Sequence, residues 1–83
     1  MTKMEFDTLL NSASSGNPGS MRTLAMLCFK MAEGGMNAGD LENATIYMEL
    51  GNGWKKLSEQ GEGYGSVSDQ VRRLTQDMFS CCF

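Results

Sequence analysis

The run from Asp40 to Gln60, D-L-E-N-A-T-I-Y-M-E-L-G-N-G-W-K-K-L-S-E-Q, constrains the fold more than any other stretch. It is the longest segment with helical spacing, and it holds the only Trp. Leu41, Ala44, Tyr47, Met48, Gly51, Trp54, Leu57 and Ser58 recur at steps of three and four, which puts them on one face of an α-helix. Glu42, Asn43, Glu49 and Lys56 fall largely elsewhere and can stay in water. Asp40 suits the start, because its carboxylate can accept from an orphan backbone N–H at the positive helix end. Lys55 and Lys56 lie toward the other end, where cations are favoured. The obstacle is Gly51-Asn52-Gly53, since each Gly costs roughly 1 kcal/mol against Ala inside a helix. Either the helix runs through, with Gly51 letting a neighbouring backbone approach, or it ends near Leu50 and Trp54 opens a second short helix. Trp54 and Leu57 keep the phase of the preceding face, which favours one continuous helix with Trp54 buried against the second or fourth helix.

The remaining helices are read around this one. Thr2-Lys3-Met4-Glu5 has the form of a capping box, and Phe6, Leu9, Leu10 and Ala13 follow at helical spacing. Residues 14–19, S-S-G-N-P-G, are turn-formers. A second helix begins near Pro18 or Ser20, with the proline placed where its missing N–H costs nothing. Met21, Leu24, Ala25, Leu27, Cys28, Phe29, Met31 and Ala32 make that helix apolar around much of its circumference, so it should be central or covered on both sides. Gly34-Gly35 is expected to end it. Gly61, Gly63 and Gly65 mark another joint, and Ser66-Val67-Ser68-Asp69 repeats the capping logic. Val67, Val71, Leu74, Met78 and Cys82 then form a clean amphipathic stripe, with Arg72, Arg73, Gln76 and Asp77 on its wet side. No stretch alternates with period two for long enough to argue a strand. The predicted fold is therefore a small all-α domain of four helices, near 3–14, 19–33, 40–60 and 67–81, with Gly-rich joints.

Eighty-three residues make one domain, which buries only about 60–65% of its unfolded surface and so gains from good packing or from a second chain. Eight Met and ten Gly suggest a core that relies on close helix contacts or is completed by a partner. A net charge of −3 gives no basic footprint for nucleic acid. No run approaches the roughly 18 apolar residues that span a membrane, and the start M-T-K-M-E-F-D does not resemble a secretory signal. Three cysteines, two of them adjacent, make no disulfide framework, so the expectation is a cytoplasmic protein with reduced thiols.

The same inventory argues against catalysis. The chain has no His, which removes the commonest general base, nucleophile partner and metal ligand. Cys81-Cys82 lack the spacing of a zinc knuckle, and Cys28 with them would still leave a structural zinc one ligand short. The glycines at 61, 63 and 65 lack the strand and the Lys-Ser/Thr of a phosphate loop. Asp40, Glu42, Glu49, Glu59 and Glu62 are explained by solvated helix faces. Paired terminal cysteines suggest lipidation, but the prenylation box needs Cys where Ser80 stands. Disulfides between copies are the alternative to ordinary burial of these thiols. No cofactor, metal or catalytic residue is expected.

Two families share local patterns with the chain. Gly39 to Tyr47, G-D-L-E-N-A-x-x-Y, resembles the second helix of tetratricopeptide and Sel1-like repeats, with Gly39, Leu41, Ala44 and Tyr47 at the positions that let two helices pack tightly. The resemblance implies a helical hairpin with the segment Met21 to Ala32 and a protein-binding role; the Leu-Gly and Tyr spacing of the repeat's first helix is absent, and a stable array needs about three repeats. Lys56-Leu57-Ser58-Glu59, then Ser68, Val71 and Arg72 and a C-terminal helix ending in Phe83, is similar to type III secretion needle subunits. That resemblance implies self-assembly, although Gly51-Asn52-Gly53 stands near the place of the needle's Pro-bearing turn and the 61–65 joint interrupts its long helix.

The expected function is a small non-enzymatic protein-binding domain, an adaptor or an inhibitor of a larger protein. Trp54, Tyr64, Val71, Leu74, Met78, Phe79 and Phe83 supply apolar anchors, with Arg72 and Arg73 at the rim. The acidic balance favours a partner with a basic face. The alternatives are a self-assembling structural subunit and a helical homo-oligomer that holds a small ligand between subunits. Neither nucleic acid nor membrane is an expected partner.

Overall fold

The computed structural model describes residues 2–60 and 69–80. Among them the chain is all α: α1 Lys3–Ser14, α2 Pro18–Asn37, α3 Leu41–Gln60 and α4 Asp69–Phe79. The Gly61–Gly65 joint with Tyr64, the capping sequence Ser66–Ser68 with Val67, and Cys81, Cys82 and Phe83 lie outside the described residues.

Local chemistry starts the first three helices and stops the first two. Thr2 and Glu5 form the expected capping box, each side chain accepting from the other's backbone N–H at 3.2 Å. Both following turns share one design. After α1, Gly16 at φ 101° donates its N–H to the Ala13 carbonyl, and Asn17 donates to that of Ser12. After α2, Gly39 at φ 80° donates to Met36, and Asp40 donates to Gly35. This pair of bonds satisfies orphan carbonyls and needs a residue that tolerates positive φ, which is why glycine stands at both corners. The next residue then caps the next helix: Asn17 Oδ1 accepts from the Ser20 N–H at 3.2 Å, and Asp40 Oδ1 from the Asn43 N–H at 3.3 Å.

The end expected for the second helix at Gly34-Gly35 is therefore wrong, and α2 continues to Asn37. Tertiary packing outweighs the helix cost of two glycines. A Cβ at Gly35 would lie 3.1 Å from Ala44 Cβ and 3.2 Å from the Asp40 carbonyl, so this glycine lets the first turn of α3 close onto α2. A Cβ at Gly34 would meet nothing within 4 Å. Gly34→Ala should accordingly stabilise the domain by about 0.5–1 kcal/mol. Gly39→Ala should cost about 1–2 kcal/mol, because it forces a side chain into the left-handed region. Urea unfolding of the two variants should give midpoints on opposite sides of the parent's.

α2 and α3 run antiparallel. Gly35 faces Ala44 near one end, and Phe29 lies over Gly51 near the middle. α3 is continuous through Gly51-Asn52-Gly53, as the phase of Trp54 and Leu57 predicted. The neighbour admitted by Gly51 is a ring rather than the expected backbone: a Cβ there would fall 2.8 Å from Phe29 Cε1. Ala44, Tyr47, Leu50 and Trp54 of α3 join Phe6, Leu10 and Ala13 of α1 and Met21, Leu24, Ala25, Cys28 and Ala32 of α2 in the core. Leu41 departs from the expected face: at the first position of α3, beside the hairpin turn, it is 65% exposed. Leu50, one position off that face, is buried instead.

α4 docks on α1 and α3 in a different rotation from the one its apolar stripe predicts. The buried side chains are Thr75 and Phe79, with Val71 and Met78 half-buried, whereas Leu74 is 43% exposed. The cause is polar. Trp54 Nε1–H donates to Thr75 Oγ1 at 2.9 Å, and the Thr75 hydroxyl donates back to the Val71 carbonyl at 2.8 Å. The Tyr47 hydroxyl donates to the Met78 carbonyl, and Phe79 sits between Phe6 and Tyr47, with ring centroids at 4.9 and 5.4 Å. A buried indole N–H needs an acceptor, and Thr75 meets that need at the cost of turning Leu74 outward.

Candidate functional site

With α1 and α4 packed on other faces of α2 and α3, one side of this helix pair carries an open groove of about 490 Å³. Its lining comes from α2 and α3 alone among the described residues. Ala25 and Ser58 form the floor, both buried, and Phe29 is half-buried beside them. The missing Cβ of Gly51 is what lets the Phe29 ring lie against α3. Met26 stands in the same groove at 66% exposure. Arg22, Lys55 and Glu59 are exposed at the margin. Lys55 and Glu59 also line an adjoining hollow with Asn52 and Lys56. The Ser58 hydroxyl donates to the Lys55 carbonyl at 2.6 Å, so the one hydroxyl in the groove already has an acceptor. The groove is thus an apolar strip of Ala25, Met26 and Phe29 between long charged side chains.

The expected anchors are not gathered on one surface. Trp54 has no exposed area and Phe79 is almost as deep, so in this packing a partner reaches neither. Val71 and Met78 are half-buried. Leu74 points outward, and Arg72 and Arg73 are exposed. Arg72 Nη2 donates to Asn11 Oδ1 at 2.7 Å and so ties α4 to α1. Tyr64 and Phe83 lie outside the described residues. The residues that line the groove were absent from the expected set. One signal for them was in the sequence: the second helix is apolar around much of its circumference, α1 and α3 cover only part of it, and Met26 is left exposed.

Cys28 belongs to the core rather than to the groove. It is wholly buried, and burial pushes its thiol up to about 12, which keeps it neutral and unreactive in the physiological range. Among the described residues no three His, Cys, Asp or Glu side chains stand close enough to hold a metal ion. No helix of the described residues is long and apolar enough to cross a membrane. The chain matches no family model, no curated protein and no solved structure.

Proposed function

We propose that this chain is a small non-enzymatic protein-binding domain, an adaptor or an inhibitor of a larger protein, that engages its partner through the groove between α2 and α3. The observation that carries the reading is Met26: a large, flexible apolar side chain held 66% exposed beside Phe29 and above Ala25, on a face that α1 and α4 leave open. Methionine-lined surfaces adapt to the shape of an incoming side chain, and apolar strips with polar margins are the usual anatomy of an interface centre. Binding rather than chemistry is favoured because the groove's polar groups are exposed cations, one exposed carboxylate and a hydroxyl already bonded to backbone.

The test is comparative affinity capture from an extract of the native host. The parent chain, Met26→Glu and Leu74→Asp are used side by side, with circular dichroism confirming that each is folded. Protein partners retained by the parent and weakened about tenfold or more by Met26→Glu are expected, because a charge at an interface anchor costs at least about 1.4 kcal/mol. Equal capture by all three chains would remove the groove as the binding surface. Partners lost only with Leu74→Asp would move the function to the exposed side of α4.

A further inference from the structure

We infer that the occupant of the α2–α3 groove is an acidic amphipathic helix of another protein, with apolar residues one turn apart resting on Ala25, Met26 and Phe29 and carboxylates reaching Arg22 and Lys55. This rests on the protein-binding reading above and adds the chemistry of the partner.

Charge carries the first step. The chain as a whole bears −3, with seven bases, which by itself would favour a basic partner. The groove inverts that sign. Arg22 and Lys55 line it against the single acid Glu59, and Lys56 joins Lys55 in the adjoining hollow. Among the described residues no ion pair engages Arg22, Lys55 or Lys56 within the chain, so their charge is available to an incoming group. At physiological salt the screening length is about 8 Å, so the distant acids of this chain count for little at the groove, and the nearby cations decide the sign of the ligand.

Backbone chemistry carries the second step. Both walls are helices: over Arg22–Phe29 the N–H and C=O groups of α2 are used internally, and over Lys55–Glu59 so are the N–H groups of α3. An extended peptide would bring unpaired backbone groups to walls that offer no edge to pair with, whereas a helix arrives with its own backbone satisfied. From Ala25 to Phe29 the apolar strip rises about 6 Å, one helical turn, which matches anchors at i and i+4 of a helix lying along it.

The third step weighs a second copy of this chain as donor. Among the described residues the exposed large apolar side chains are Met4, Met26, Met36, Leu41 and Leu74, and no two of them on one helix lie three or four positions apart. On α4, Leu74 stands between the half-buried Val71 and Met78, but the exposed Arg72 and Arg73 beside it would meet the cations of the groove, so this helix does not suit it and the occupant is assigned to another protein.

The experiment pans a displayed library of randomised single-helix miniproteins against the full 83-residue chain and reads the sequences and affinities of the winners. The expected winners carry apolar residues at i and i+4 flanked by Asp or Glu. They should weaken about tenfold or more on Met26→Glu, and about fivefold or more on the double change Arg22→Glu with Lys55→Glu. Exchanging the winners' acids for lysine should restore binding to the double variant, which a merely damaged surface would not allow. Affinity should also fall with added salt. Winners without an acidic bias, or indifferent to Met26→Glu, would overturn the assignment, as would a selection that yields none. Winners that bind the parent but are lost only with Leu74→Asp would overturn the groove while leaving protein binding intact.

Discussion

Trp54→Ala is expected to cost about 3–5 kcal/mol of stability, the range for removing a fully buried aromatic. A domain of this length has only a few kcal/mol in hand, so the variant should be largely unfolded at room temperature. Most of the loss is the cavity. Trp54 has no exposed surface and stands where α3 meets α4. A smaller share is the hydrogen bond from its indole to Thr75. The two shares separate experimentally. Thr75→Val keeps nearly the same volume but strands the buried indole N–H, and should cost about 1–3 kcal/mol. Circular dichroism in urea follows the variants that lack Trp, and the Trp54 fluorescence maximum follows Thr75→Val. If Thr75→Val were neutral, the indole would have another partner and the polar explanation for the rotation of α4 would fail.

The helices were legible where apolar spacing and capping chemistry agreed. The Thr2–Glu5 box, the Asp40 cap and the phase of Trp54 on α3 all follow from spacing alone, and the structure keeps each of them. Glycines were harder, because their meaning lies in what comes near them. Gly34-Gly35 reads as a stop on local propensity, yet one of the pair is a contact and the stop is Gly39, fixed by a positive φ that no pattern in one sequence displays. Gly51 reads as a site of close approach, but the approaching group, Phe29, is 22 residues away in the chain. The site was less legible than the fold for the same reason. The sequence points to aromatic residues and the cleanest stripe as anchors, yet Trp54 and Phe79 are buried in the domain's own core. The exposed strip depends instead on which face of α2 its neighbours fail to cover, a property of the assembled molecule.

The fourth helix gives the sharpest contrast between pattern and packing. Phe79→Ala is expected to cost about 3–5 kcal/mol, because the ring is buried between Phe6 and Tyr47 and links α4 to both α1 and α3. An 11-residue helix has little stability of its own, so losing this anchor should release α4 as a unit. Release would uncover Trp54, whose indole bonds to α4, and the fluorescence maximum should shift to the red while α1 to α3 retain much of their helical signal. Leu74→Asp, at the centre of the apolar stripe, should by contrast cost only about 1–2 kcal/mol and leave the fluorescence unmoved, because 43% of the side chain is already in water. The ordering of the two variants decides the rotation of α4. A large loss from Leu74→Asp with a small one from Phe79→Ala would mean that the helix docks by its hydrophobic stripe. The reverse ordering means that the face carrying Thr75 and Phe79, and not the one centred on Leu74, sets how this helix sits.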